Sequence, residues 1–296
     1  MKLAAIDIGS NAVRLVIHRV LSEGGGQLKR LEFVRIPLRL GDDVFQTKTI
    51  SAEKEELLSK TMQAFALIMD VHHVHDYRAC ATSAMRDAVN GAQIAEHIQK
   101  STGIKIDIID GMEESQLILD SVMRFFPDHG NFINIDVGGG STEMTLIKNH
   151  KPIIGETFNI GTVRLLYESV DEKEWKRMEQ WVSEVIVSTK NIVAVGTGGN
   201  INKALRMLEM TEKEAMSYDK LKALYQLLRS LTLKERIYKL KLNPDRADVL
   251  EPALKIHLQI MKWASIKKIY APNAGLKDGI IRELLAKNHQ VVQHVI

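Results

Sequence analysis

Short apolar runs and runs of helical period alternate along this chain, and they do so in the same order twice. Leu3 to Ile8, Val13 to Val20 and Leu28 to Ile36 read as three consecutive strands, the last two joined by a hairpin at Gly24-Gly25-Gly26. Ser51 then stands as a helix N-cap, and Leu57, Leu58, Met62, Phe65 and Ile68 recur at helical spacing up to about Val71. Alternation of strand and helix follows: strand Tyr77 to Ala81, helix Ala92 to Lys100 capped by Asn90, strand Ile104 to Ile109, helix Glu113 to Phe126. Pro127-Asp128-His129-Gly130 breaks the pattern. The programme restarts with strands Asn131 to Val137, Met144 to Lys148 and Ile153 to Asn159, then a helical stretch containing Glu172 to Thr189. Strand Ile192 to Val195 runs into Gly196-Thr197-Gly198-Gly199-Asn200 and a helix from near Ile201. Helices over Tyr218 to Ser230 and Arg246 to Trp263, strand Lys268 to Tyr270 and helix Leu276 to Ala286 complete the pattern, with His289 to Ile296 as a short docked helix or a tail.

Three strands, a crossover helix and alternating strand–helix units, repeated, describe the duplicated ribonuclease H-like α/β fold of actin and sugar kinases. At 296 residues the chain exceeds the usual size of one core, so two domains are expected, 1–126 and 127–296, with a cleft between them. Ligands of such sheets sit at the carboxyl ends of strands, where the glycine-rich turns fall.

Composition narrows the class without choosing a function. The chain is 45% hydrophobic and 26% charged, as ordinary globular proteins are, and its 40 basic and 37 acidic residues give a net charge of +3, too weak to imply a nucleic-acid binder, so no nucleic-acid partner is expected, while a local basic cleft for a polyanion stays open. The single cysteine, Cys80, excludes an intramolecular disulfide and reads as a small core residue in a reducing compartment. The N-terminus enters strand sequence at once and no long apolar run occurs, so a cytoplasmic protein with no membrane partner is expected.

The chemistry begins with two copies of one device, Ile6-Asp7-Ile8-Gly9-Ser10-Asn11 and Ile135-Asp136-Val137-Gly138-Gly139-Gly140-Ser141-Thr142-Glu143. Each is an apolar strand ending in Asp, a turn of small residues, and a second strand. Glycine lets backbone N–H groups converge on an anion, Ser and Thr add hydroxyl donors, and acidic residues can hold a divalent cation against the phosphate. Ordinary hairpin turns are the competing reading. The repetition weighs against it, because a plain turn does not require an aspartate at the end of a buried strand in both halves.

Arg86, in the loop after strand Tyr77 to Ala81 with Thr82 and Ser83 nearby, is read as a bidentate phosphate clamp or as a surface residue paired with Asp87. Glu113 and Glu114 open a helix, where acidic residues need no function, yet one of them beside bound phosphate could accept a proton from water. Arg164, after Gly161-Thr162, is an anion contact or a surface arginine. His72-His73-Val74-His75 reads as a solvated connector, and the mixed-charge runs Asp171 to Arg177 and Glu212 to Glu214 as solvated helix surface.

Taken together, Asp7 to Asn11, Thr82 to Asn90 with Arg86, Gly111 to Glu114 with Leu117-Ile118, Asp136 to Glu143 and Gly196 to Gly199 resemble the exopolyphosphatase/guanosine pentaphosphate phosphohydrolase family, in family order over residues 3 to about 286. The resemblance implies release of a terminal phosphate from inorganic polyphosphate or guanosine pentaphosphate, with Mg²⁺ as cofactor. It makes Glu114 the carboxylate that activates water and Arg86 a phosphate-binding arginine. Asp136 and Glu143, with Asp7, would hold the metal; Gly9, Ser10, Asn11, Gly138, Gly139, Gly140, Ser141, Thr142, Gly198 and Gly199 would cradle phosphate. The implied partner is that polyphosphorylated substrate, with a homodimer as the one protein partner considered. Longer family members add a helical C-terminal domain, and by this reading only the first two domains are expected here; Glu251 and Ala253 depart from the family's pattern, which puts the far wall of the site in doubt. An actin-like ATPase or sugar kinase is the second reading, against which Arg86 and the Glu113-Glu114 pair argue; a polyphosphate or alarmone sensor with weak hydrolysis is the third, and its mark would be loss of Glu114.

Overall fold

The computed structural model describes residues 1–21, 27–125, 129–186, 189 and 191–293. The expected Gly24–Gly26 hairpin, Phe126 to Asp128 of the inter-domain break, part of the helical stretch before Thr189 and the last three residues lie outside them. Two compact units emerge, one formed by residues 1–121 with the chain from Gly275 onward, the other by 122–274.

In the first unit β1 (Lys2–Ile8), β2 (Val13–Val20), β3 (Leu28–Ile36), β4 (Asp76–Ala81) and β5 (Ile106–Ile108) form one sheet in the order β3-β2-β1-β4-β5. β1 to β3 pair antiparallel, and β4 and β5 join β1 in parallel. Central β1 is buried along nearly its whole length, which is why it reads as a continuous apolar run. The helix Ala52–Val71 begins at Ser51, whose side chain accepts from the Lys54 N–H, and buries Leu58, Met62, Phe65 and Met69. The helix Leu276–Gln293 packs in this unit against β1 and β4, whereas the sequence expectation carried the second domain through to 296. Gly279 permits the approach: a Cβ there would stand 1.8 Å from the Leu117 carbonyl oxygen.

The second unit repeats the plan. β6 (Asn131–Val137), β7 (Thr142–Lys148), β8 (Lys151–Phe158), β9 (Ile192–Thr197), β10 (Met216–Ser217) and β11 (Lys268–Tyr270) run in the order β10-β11-β9-β6-β7-β8. Setting aside edge strand β10, this is the order of the first sheet with β6 in the place of β1. Its core gathers Ile133, Ile135, Met144, Phe158 and Trp181 with Leu250, Leu254 and Met261 of the helix Leu250–Trp263. Each unit is thus a mixed sheet flanked by helices, the duplicated ribonuclease H-like, actin-like fold.

Several local expectations change. Arg86 sits in a short helix, Ser83–Asp87, rather than a loop. Asn90 does not cap the helix Gly91–Thr102 through its side chain; its amide instead accepts from the Ile50 N–H and donates to the Ile50 carbonyl, at 3.0 and 2.9 Å. Arg177, read as solvated, lies 4.4 Å over the Phe158 ring and donates to Glu156, Glu174 and the Thr157 carbonyl.

Candidate active site

The two aspartate turns are one structure built twice. The Gly9 N–H donates to the Ala12 carbonyl at 3.2 Å, and the Gly138 N–H donates to the Ser141 carbonyl at 2.9 Å, so each turn closes between its first and fourth residues. Across each hairpin the aspartate faces the residue seven positions on: Asp7 opposite Arg14, Asp136 opposite Glu143. There the copies diverge. Arg14 Nη1 lies 2.6 Å from Asp7 Oδ2 and neutralises it, whereas Asp136 has a second carboxylate as its cross-strand neighbour. Both acids of the second copy are buried, Glu143 to 2% exposure, and the Thr197 hydroxyl donates to Asp136 Oδ1 at 2.7 Å from the parallel neighbour β9.

Like charges on adjacent strands, out of water, call for a cation or a shared proton. Two carboxylates are the hard oxygen donors that a small divalent cation takes, so Asp136 and Glu143 fit such an ion by chemistry. Asp7, the third expected ligand, has one oxygen engaged by Arg14.

The loop between the second pair of strands has its carbonyls tied down. Thr162 N–H donates to Gly138 O at 3.0 Å, Val163 and Arg164 N–H to Gly139 O at 2.8 and 3.2 Å, and Arg164 Nε to Gly140 O at 2.6 Å. In a planar trans peptide the C=O of one residue and the N–H of the next point in opposite directions. The N–H groups of Gly139, Gly140 and Ser141 are therefore turned away from these donors. Gly161 is required at the contact, since a Cβ on it would meet Gly139 O at 2.4 Å. Thr142, expected as a phosphate ligand, donates its hydroxyl to the Ile160 carbonyl at 2.6 Å and ties the start of β7 to the segment that follows β8.

The third glycine turn lies beside the same aspartate. Gly198, at φ 97°, leaves room that a Cβ would take 3.1 Å from Asp136 Oδ1. Gly199 opens the helix Gly199–Met207, and its missing Cβ admits the Arg246 guanidinium, whose Nη1 donates to Asn200 Oδ1 at 2.7 Å. The sequence placed Thr197 in the Gly196 to Gly199 turn and Arg246 at the start of a helix, and gave neither a role in the site. That Thr197 faces Asp136 follows from the parallel pairing of β9 with β6, and that Arg246 reaches Asn200 from a contact between residues far apart along the chain.

In the first unit the Ser10 and Ser83 hydroxyls share a hydrogen bond of 2.8 Å, while the carbonyls of Ser10 and Asn11 accept from Gly41 and Arg39 N–H at 2.8 and 3.1 Å. By the same peptide geometry the Asn11 and Ala12 N–H groups turn away from that contact. Arg86 Nη1 donates to Ile109 O at 2.8 Å and lies 3.9 Å from the buried carboxylate of Glu114. Asp110 Oδ1 accepts from the Met112 and Glu113 N–H groups, starting the helix Gly111–Val122 that carries Glu114. The neighbouring glutamates separate by environment: Glu113 is held by Arg78, which also binds Asp107 and Glu283. Burial works against the Arg78 charge, but its hydrogen bonds to Glu113, Glu283 and Asp107 outweigh that and hold its pKa above the ordinary arginine value. Glu113 is thereby a structural partner of Arg78.

Two sheets of matching strand order, each flanked by helices, define an α/β protein of the actin-like class. The chain belongs to the Ppx/GppA phosphatase family, whose model matches residues 20–288, and is accordingly a phosphohydrolase. It is 24% identical to "Exopolyphosphatase 1" of Mycobacterium leprae over 302 residues, covering 95% of this chain and 88% of that protein. The crystal structure of an exopolyphosphatase from Cytophaga hutchinsonii superposes with a TM-score of 0.83 at 22% identity, over 97% of this chain and 98% of the other. The Ppx/GppA family member of Aquifex aeolicus gives 0.77 at 24%, over 98% and 99%. These structural likenesses speak to the fold. Among the described residues no helix is long and apolar enough to cross a membrane.

Proposed function

We propose that this chain releases terminal phosphate from inorganic polyphosphate or guanosine pentaphosphate, in the cytoplasm and with Mg²⁺. The observation that carries the reading is the pairing of Asp136 with Glu143 next to the outward N–H row of Gly139 to Ser141, cation donors and anion donors in one loop. Asp136 and Glu143 would hold Mg²⁺, which would supply charge neutralisation for the transferring group. The amides, with Gly138, Thr142 and the Gly198–Gly199 turn, hold the terminal phosphate; Gly9, Ser10 and Asn11 are the phosphate-binding residues of the first unit. Asp7 contributes through the oxygen that Arg14 does not occupy. Arg86 binds a phosphate oxygen with the part of its five-donor fork that Ile109 leaves over. Glu114 takes a proton from the attacking water, and positioning and charge supply the rest of the catalysis.

The test is phosphate release measured side by side on short polyphosphate, long polyphosphate, guanosine pentaphosphate and ATP, with EDTA and Mg²⁺ add-back. Release from the first three without any acceptor, abolished by EDTA and restored by Mg²⁺, is expected. Glu114→Gln should lower kcat by about 100-fold or more while substrate still binds. Full turnover in that variant removes Glu114 from the mechanism, and activity on ATP alone returns the chain to the ATPase reading.

A further inference from the structure

The two copies of the phosphate turn hold their loops by different means. In the first, the third turn residue, Asn11, offers its carbonyl to a backbone amide, that of Arg39. In the second, the equivalent carbonyl of Gly140 is taken by a side chain, Arg164 Nε, at 2.6 Å. Arg164 is 6% exposed and its own N–H is spent on Gly139 O, so one residue fixes two successive peptide planes. The two planes are not equally secured. The Gly139–Gly140 plane is held by two backbone amides, of Val163 and Arg164, and the Gly138–Gly139 plane by that of Thr162. The Gly140–Ser141 plane hangs on the guanidinium. Glycine at 140 places no Cβ in the way of its rotation.

We infer that Arg164 is a positioning residue for phosphoryl transfer: by binding the Gly140 carbonyl it aims the Ser141 N–H at the bound phosphate. It replaces, with a side chain, the backbone donor that the first copy uses. The inference rests on the hydrolase reading for its consequence, while the aim of the amide is testable without turnover. Arg164 touches no phosphate in this account. Its charge sits on the far side of the loop from the N–H row, and its influence passes through one peptide plane.

The experiment uses the full chain labelled with ¹⁵N-glycine and ¹⁵N-serine, titrated with tripolyphosphate, beside Arg164→Met and Arg164→Gln. In the wild type the Gly139, Gly140 and Ser141 amide resonances should all move on addition of the anion. In Arg164→Met, which has the same reach and no N–H, those of Gly139 and Gly140 should still move while the Ser141 response is lost, and kcat/KM for phosphate release should fall about 100-fold, the cost of one misaimed donor to a developing charge. Arg164→Gln carries an amide N–H as many bonds from Cα as the Nε that binds Gly140 and should recover most of both readouts; Arg164→Leu, also without a donor, takes the place of the methionine variant if that does not fold. A Ser141 response in Arg164→Met equal to wild type, equal loss at all three amides, kcat/KM of Arg164→Met within twofold of wild type, or no recovery in Arg164→Gln overturns the inference. Absence of any response in the wild type overturns it as well. Three wild-type responses with no phosphate released would defeat the hydrolase reading and leave the assignment of Arg164 to Ser141 standing.

Discussion

Seven residues beyond each aspartate the two copies part company, and the difference of one side chain assigns them different work. Asp7 is neutralised by Arg14 through one of its oxygens; Asp136 with Glu143 is two acids side by side. Without a cation the second pair is a source of instability, because two ionised carboxylates in a buried site repel. Glu143→Gln should therefore stabilise the metal-free protein by about 1 kcal/mol, a rise in Tm of about 2–4 °C for a chain of this size. The same variant should lose the stabilisation that Mg²⁺ confers on the wild type, which reaches about 2.7 kcal/mol at a hundredfold excess over Kd. Thermal melts of both proteins in EDTA and across a Mg²⁺ titration check the two halves together, and an equal Mg²⁺ shift in both would place the ion elsewhere. Both aspartates and Glu143 were legible in the sequence as residue types at matched spacing. The meaning of Arg14 was not, because only the hairpin register shows that it stands where Glu143 stands.

At the scale of elements, legibility followed how far each residue's partners lie along the chain. The strands from Leu3 to Ile36 and the helix after Ser51 announce themselves by local period and cap, and the structure has them within a residue or two. The helix Leu40–Thr47 went unread, since it starts from a left-handed Arg39 and opens on Leu-Gly-Asp-Asp, which looks like a turn. Strand β7 begins two residues earlier than its apolar pattern does, because Thr142 and Glu143 are polar residues that are nevertheless buried. Asn90 shows the same limit from the other side: its identity fits a helix cap, but its amide joins the segment at Ile50 to the start of the helix Gly91–Thr102. Serine is as good a cap as asparagine but too short to make both of those bonds. Asn90→Ser should accordingly cost about 1–2 kcal/mol in urea unfolding, where a capping role predicts almost no change.

For the whole molecule, repetition made the fold readable: a strand order that matches in both sheets is what an apolar pattern repeated along the chain encodes. The allocation of the last helix escaped that logic, because it depends on Gly279 meeting a carbonyl more than 150 residues earlier. Global stability carries one further signature of packing that no local pattern reveals. His257, on the helix Leu250–Trp263, is fully buried, with Nδ1 2.8 Å from the Ala253 carbonyl and Nε2 near Gly196. Burial is the main influence on it and lowers its pKa to about 4, against a smaller opposing effect of the Ala253 hydrogen bond. The folded protein thus keeps the imidazole neutral over a range where the unfolded chain takes up a proton. Below the ordinary histidine pKa of about 6.5 the unfolded state binds more protons, so stability is complete above that pH and drains away as pH falls toward about 4. Between pH 7.5 and 4.5 this one group should account for a loss of about 2–3 kcal/mol. His257→Asn, which keeps an amide N–H at the place of Nδ1 for the Ala253 carbonyl and cannot titrate, should remove that part of the slope while leaving carboxylate-linked losses below it. Denaturant unfolding of both proteins at half-unit steps of pH decides the matter: parallel curves would mean that His257 is charged in the folded state, and curves that converge as pH falls to 4.5 would locate the acid sensitivity of the fold at this buried ring.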